Sequence, residues 1–170
     1  MRSPASKPSG TLRQSWPRRV GVALFEFHDL GAGDHRWTEA FPVLAELRPH
    51  LTLDTFRAVA KEAEPEGLRF TVCFEPGGPV GVAGWRVMTT TYSDRKLHID
   101  DLVVARSHRG HGVGSALLSH LRGRAVELRC TAIDLDSRVH RHDAHRFYLR
   151  ERYDISAHHF LLELGHQPSE

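Results

Sequence analysis

The sequence predicts an α/β domain built on a mixed, mostly antiparallel sheet flanked by helices, with one parallel crossover. Three stretches predict it. Residues 68–75 and 80–88 flank Pro76-Gly77-Gly78-Pro79, the pattern of two strands joined by a tight turn. Residues 97–104 end in a continuous apolar run, pass through a polar loop with glycines, and enter a segment where Val113, Leu117 and Leu121 recur at helical spacing. Residues 131–135 then alternate as a short strand, so strand, helix and strand form a crossover expected to be right-handed and parallel.

In chain order, residues 1–19 carry Pro, Ser and Gly with five basic residues and no acid, the composition of a disordered tail. Arg18-Arg19 hints at an export signal, but the apolar run after it is too short and is interrupted by Glu26, His28 and Asp29. A single domain is expected over 20–164, beginning with a strand at 20–27. Helices follow at 35–47 and 51–63, separated by Arg48-Pro49-His50. In the second, Leu53, Phe56, Val59 and Ala60 share a face, and Thr52 and Asp54 are helix-starting residues. After the hairpin, a polar turn at 89–95 leads to the strand at 97–104. A helix at 112–127, the strand at 131–135, a helix from about 140 to 151 and a last strand at 155–164 complete the domain, with a tail at 165–170.

Composition bounds the function classes. A chain of 170 residues, 40% hydrophobic and 26% charged, buries a core without staples. No apolar stretch approaches the roughly 20 residues of a membrane helix, so no membrane partner is expected. Cys73 and Cys130 sit in apolar runs, which argues against a disulfide framework and fits a reducing cytoplasm. The net charge is +2; without the five basic residues of the tail the remainder carries −3, unsuited to holding a nucleic-acid backbone.

The strand-loop-helix at 97–121 makes an anion site. Free backbone N–H groups converge where a helix begins, the positive end of its dipole faces the same point, and glycine lets a ligand approach closely. A Walker loop is excluded, because Val113 and Gly114 stand where Lys-Ser or Lys-Thr belongs; the G-x-G-x-G spacing excludes a dinucleotide fingerprint. Arg109-Gly110-His111-Gly112-Val113-Gly114 resembles the acyl-CoA loop of the GCN5-related N-acetyltransferases, and Leu102-Val103-Val104 resembles that family's fourth strand. Ala144-His145-Arg146-Phe147-Tyr148 resembles a second family motif, whose Tyr lies beside the cofactor sulfur. The order of elements is similar to the family's over 20–164.

The resemblance implies acetyl-CoA as co-substrate and no metal. It implies cofactor contacts from Leu102, Val103, Val104, Arg109, Gly110, His111, Gly112, Val113, Gly114 and Ser115. It also implies acetyl transfer to the amine of a small molecule by direct attack in a ternary complex, and a homodimer is compatible with it. The residues themselves support an acid at Tyr148. Ala144, Phe147 and Tyr148 share one helix face, and a phenol is protonated at neutral pH and able to donate to a departing thiolate. The alternative is that Phe147 and Tyr148 are only a core pair. Two positions depart from the family pattern: Arg141 replaces the usual Asn, and Arg152-Tyr153 replaces Gly-Phe.

Asp100 and Asp101 offer a proton acceptor for the amine; by strand alternation they face opposite sides. The pair resembles the Glu-Asp of diamine-type acetyltransferases, which implies a cationic acceptor; the other role is pairing with arginine. His98, on the face of Asp100, is the second candidate base. His140, His142 and His145 have the H-x-H-x-x-H spacing of metallo-β-lactamase-type hydrolases, but His140 falls off the helical face of the other two. A metal-dependent hydrolase and a non-catalytic acyl-CoA-binding module are therefore the alternatives to the acetyltransferase.

Overall fold

In a computed structural model, which describes residues 24–165, one sheet is built from β1 (Glu26–Asp29), β2 (Arg69–Glu75), β3 (Gly78–Thr90), β4 (Asp94–Val104) and β5 (Ala132–Leu135), adjacent in that order. The first three pairings are antiparallel; β4 to β5 is parallel, with α3 (Val113–Glu127) as the connecting helix. The sheet is the mixed one the sequence predicts. The basic stretch 1–19, the first residues of the strand expected at 20–27, and residues 166–170 lie outside the described residues.

Helices α1 (Trp37–Ala45) and α2 (Leu53–Ala63) cover one face of the sheet, and α3 covers the other. Thr52 starts α2 as expected: its hydroxyl accepts from the Thr55 N–H at 3.2 Å while the Thr55 hydroxyl accepts from the Thr52 N–H at 2.8 Å. On the α1/α2 face, buried Trp37 packs edge-on against Phe56 and Phe70, and its indole N–H reaches the Gly31 carbonyl. Each such aromatic pair adds about 0.5–1.5 kcal/mol beyond its buried area. The second core gathers Ala83, Trp85, Leu97 and Ile99 against Val113, Leu117, Leu118 and Leu121 of α3. Gly81 permits this contact, since a Cβ there would lie 2.8 Å from Leu117 and 2.9 Å from Val113. Fully buried Thr71 is satisfied on both sides: it donates to Asp29 and accepts from the Trp85 indole.

Two features differ from the sequence reading. The strand expected at 155–164 is absent, for residues 153–165 are neither helix nor strand. Ile155, Phe160, Leu161, Leu162 and Leu164 are exposed, and the sheet ends at β5. The apolar content there is strand-like, but strand propensity acts only through cross-strand packing, and none of it is paired with β5. The second difference lies inside β4. Trp85 pairs with Ile99 and the preceding Gly84 with Asp101, so Asp100 is an extra residue, a β-bulge. Leu97 and Ile99 pack on the α3 side, Val103 on the α1/α2 side, and Leu102 and Val104 on the α3 side again. The bulge thus resets the alternation, and Asp100 and Asp101 both lie towards the α1/α2 side, where simple alternation would separate them.

Candidate functional site

The glycine loop forms as its sequence requires. After β4, a 3-10 turn at Arg106–His108 leads to Gly110 and Gly112, with φ of +83° and +86°. These are left-handed conformations that side chains rarely adopt, and a Cβ at either position would meet only open space. Gly112 caps α3, no side chain caps its N-terminus, and no acid lies in its first turn. The first-turn N–H groups, Val113 to Ser115, therefore remain available to an anion. Glu46, just past α1, holds the loop from below: it accepts from the Arg106 N–H and pairs with Arg109 at 3.3 Å. A cavity of about 400 Å³ beside the loop is lined by Arg109, His140, Arg141, His142, Asp143, Ala144 and Arg146. It is rich in guanidinium groups and suits an anionic ligand.

Not every expected cofactor contact has its side chain on this side. Leu102 and Val104 pack in the α3 core, whereas Val103 is buried in the other one. The Ser115 hydroxyl donates to Glu151 at 2.6 Å. His111 stands exposed in the loop, its ring 6.4 Å from that of His108. Gly114 has a packing reason: a Cβ there would lie 3.0 Å from Phe147 of α4 (His142–Arg150), so it lets α4 dock on α3.

Next to the loop the sheet forks. β4 and β5 pair only at Lys96↔Ala132, Leu97↔Ile133, His98↔Asp134 and Ile99↔Leu135, and β4 then runs on to Val104 without β5. Tyr148 of α4 packs on the α3 side, half-buried between Phe147 and Tyr153, with ring centroids 5.3 Å and 5.9 Å away. Burial raises the pKa of its phenol above the ordinary value, and Arg141 only partly opposes this. The neighbouring Tyr153 hydroxyl is buried without a hydrogen-bond partner.

On the opposite face, Asp100 pairs with Arg86 at 2.9 Å and Asp101 with Arg48 at 2.6 Å. Burial nevertheless raises the pKa of Asp101, with the Arg48 charge pulling the other way. His98 is free of such a cation. Its Nδ1 lies 2.9 Å from Asp134 Oδ1, and its ring lines a cavity of about 470 Å³ with Arg86, Met88, Lys96, Asp100 and Asp136. Asp134 was not among the residues singled out from sequence, because only the parallel register places it opposite His98; the alternation of Ile133-Asp134-Leu135 marked its face but not its neighbour.

Two other chemistries find little support in this geometry. Burial pushes the Cys73 thiol up to about 12, so it is not a ready thiolate nucleophile. His142 and His145 have ring centroids 6.2 Å apart, and His145 Nε2 bonds the Arg138 carbonyl. Among the described residues no group of three or more His, Cys, Asp or Glu is arranged to hold a metal ion.

Comparison with known proteins bears on the family and the fold. Residues 31–152 match the model of the Acetyltransferase (GNAT) family. The chain is 27% identical over 113 residues to an uncharacterized N-acetyltransferase, YhdJ, of Bacillus subtilis (strain 168), covering 66% of this chain and 80% of that protein. It is 40% identical over 66 residues to an aminoalkylphosphonate N-acetyltransferase of Salmonella typhimurium, covering 39% of this chain and 43% of that one. Among solved structures, an acetyltransferase of Trypanosoma brucei superposes with a TM-score of 0.66 at 25% identity, over 82% of this chain and 99% of that one. An aminoglycoside N-acetyltransferase in complex with CoA superposes with a TM-score of 0.71 at 13% identity, over 87% and 97%, a likeness of fold.

Proposed function

Because the chain belongs to the acetyltransferase (GNAT) family, we propose that it transfers an acetyl group from acetyl-CoA to the amine of a small molecule by direct attack. The observation that carries this reading is the loop from Arg109 to Ser115. Two left-handed glycines, open space above them and an uncapped helix start form an anion cradle, which the diphosphate of CoA fits. Leu102 and Val104 border the fork on the same side, where the acyl arm is to lie.

Through the fork beyond Ile99, which opens between the two faces of the sheet, His98 takes a proton from the acceptor nitrogen, whose lone pair forms the new C–N bond to the thioester carbonyl. The C–S bond breaks as Tyr148 gives its hydroxyl proton to the departing sulfur, and solvent restores both groups. Asp100 and Asp101 are less suited to the base role, since each already neutralises a guanidinium. Asp100 fixes Arg86 at the wall of the cavity, and Asp101 fixes Arg48 between α1 and α2.

The test is thiol release from acetyl-CoA by the purified protein against a panel of amines. The panel includes aminoalkylphosphonates, aminoglycosides, diamines and amino acids. Acceptor-dependent release with one of them is expected; CoA binding without release under any acceptor would point to the non-catalytic binding module.

A further inference from the structure

Asp134 stands where two strands meet a buried charge. It lies opposite His98 in the parallel register, one rung before the last pairing of β4 with β5. Each of its oxygens has a separate partner: Oδ1 is 2.9 Å from His98 Nδ1, and Oδ2 accepts from Lys96 Nζ at 2.5 Å. The Lys96 side chain is only 7% exposed and has one further partner, the Tyr92 hydroxyl at 2.6 Å. A buried ammonium that lost its carboxylate would be strongly disfavoured, so Asp134 cannot swing away without stranding Lys96. Burial opposes ionisation of Asp134, but the bonds from Lys96 and His98 outweigh it and hold its pKa below the ordinary value.

We propose that Asp134 is the positioning residue of the reaction, fixing the tautomer and plane of the His98 ring, and that Lys96 fixes Asp134 in turn. The inference rests on the acetyl-transfer reading above and adds to it the arrangement that makes His98 competent. An ionised carboxylate can only accept, so Nδ1 carries the ring proton and Nε2 keeps its lone pair. Held by Nδ1, the ring turns Nε2 away from Asp134, and its exposed part lies in the cavity bounded by Arg86, Asp100 and Asp136. This is the nitrogen that accepts the amine proton. Arg86 faces His98 across the β3–β4 pair, but its guanidinium is engaged by Asp100 and Glu66. Asp136 is paired with His159 at 3.2 Å. Among these groups, Asp134 alone bonds the imidazole.

The first measurement needs no variant. Nitrogen NMR of the ¹⁵N-His-labelled full chain, with His98 assigned through His98→Gln, should show neutral His98 protonated at Nδ1. A ring protonated at Nε2 instead overturns the proposal. Second, an amide at position 134 can donate to Nδ1 and so favour the wrong tautomer. Asp134→Asn should then lower kcat by about 100-fold or more while KM for acetyl-CoA stays within about twofold. In the His98→Gln background the same change should cost little more, because the two residues act as a unit. A loss in both backgrounds alike would reduce Asp134 to a structural ion pair and overturn the proposal. Should Asp134→Asn fail to fold, Lys96→Met with Asp134→Asn removes the buried ammonium together with its carboxylate, and the same kinetic comparison is made there. Absence of any acetyl transfer by the wild type defeats the functional reading instead, and the ring tautomer still decides whether Asp134 orients His98.

Discussion

Tyr148 holds its proton more firmly than a free phenol, because burial disfavours the phenolate. Tyr148→Phe removes only the hydroxyl, so kcat should fall by about 100- to 10,000-fold with acetyl-CoA affinity unchanged, as steady-state kinetics with direct binding will show. Since its folded pKa lies above the ordinary value near 10, any loss of kcat between pH 7 and about pH 10 belongs to another group. Asp34 shows the opposite shift: two bonds from the Arg36 side chain and one from its N–H bring its carboxyl down to about 2. A depressed carboxyl stabilises the fold above its unfolded pKa of 3.8 and ceases to do so as pH falls through about 2. Asp34→Asn should therefore lower Tm at pH 7, and the gap to wild type should close as the melt is repeated from pH 4 to pH 2. Reading single residues from sequence succeeds where the chemistry is local, as for Thr52 at the start of α2. It fails for Asp134, whose role comes from a register formed across 36 residues of chain.

At the scale of elements, the glycine loop was legible because its pattern is continuous in sequence and its conformation is dictated within a few bonds. Gly112→Val must force a β-branched residue to φ of +86° and fill the space above the loop. CoA affinity, measured by calorimetry, should fall at least tenfold, an order-of-magnitude expectation for a blocked diphosphate cradle. Gly114→Ala should act differently, loosening α4 through Phe147 and so lowering Tm before it weakens CoA binding. The strand expected at 155–164 was not legible, because pairing is a property of two segments and only one of them was in view. Its backbone has no partner in the sheet and its large side chains are exposed. Among the described residues, limited proteolysis should accordingly cut first between 154 and 164, leaving a fragment that retains β1 to α4. Mass spectrometry of the first product checks this.

At the scale of the molecule, α3 has two purposes in the proposed reading: its buried face builds a core and its uncapped first turn is the cradle proposed for the CoA diphosphate. On that reading stability and cofactor binding are coupled through Gly81, where a Cβ on β3 would run into Leu117 and Val113 of α3. Gly81→Val should destabilise the fold by about 1–3 kcal/mol, read as a lower Tm, because backbone and helix cannot both stay in place. Acetyl-CoA should restore part of the loss, since a ligand that binds only the folded form shifts the melt upward. The bulge at Asp100 has a reach as wide as that of α3. β4 supplies side chains to both cores, and the extra residue works as a half-period phase shift between its two halves. Deleting Asp100 would remove the extra residue and leave Asp101 opposite Gly84, so that Leu102, Val103 and Val104 keep the sides they now face. A one-residue deletion here should thus spare both cores and cost chiefly the Arg86 partner. One residue inserted after Asp101 should instead turn Val103 towards α3 and lower Tm far more, as melts of the two variants will show.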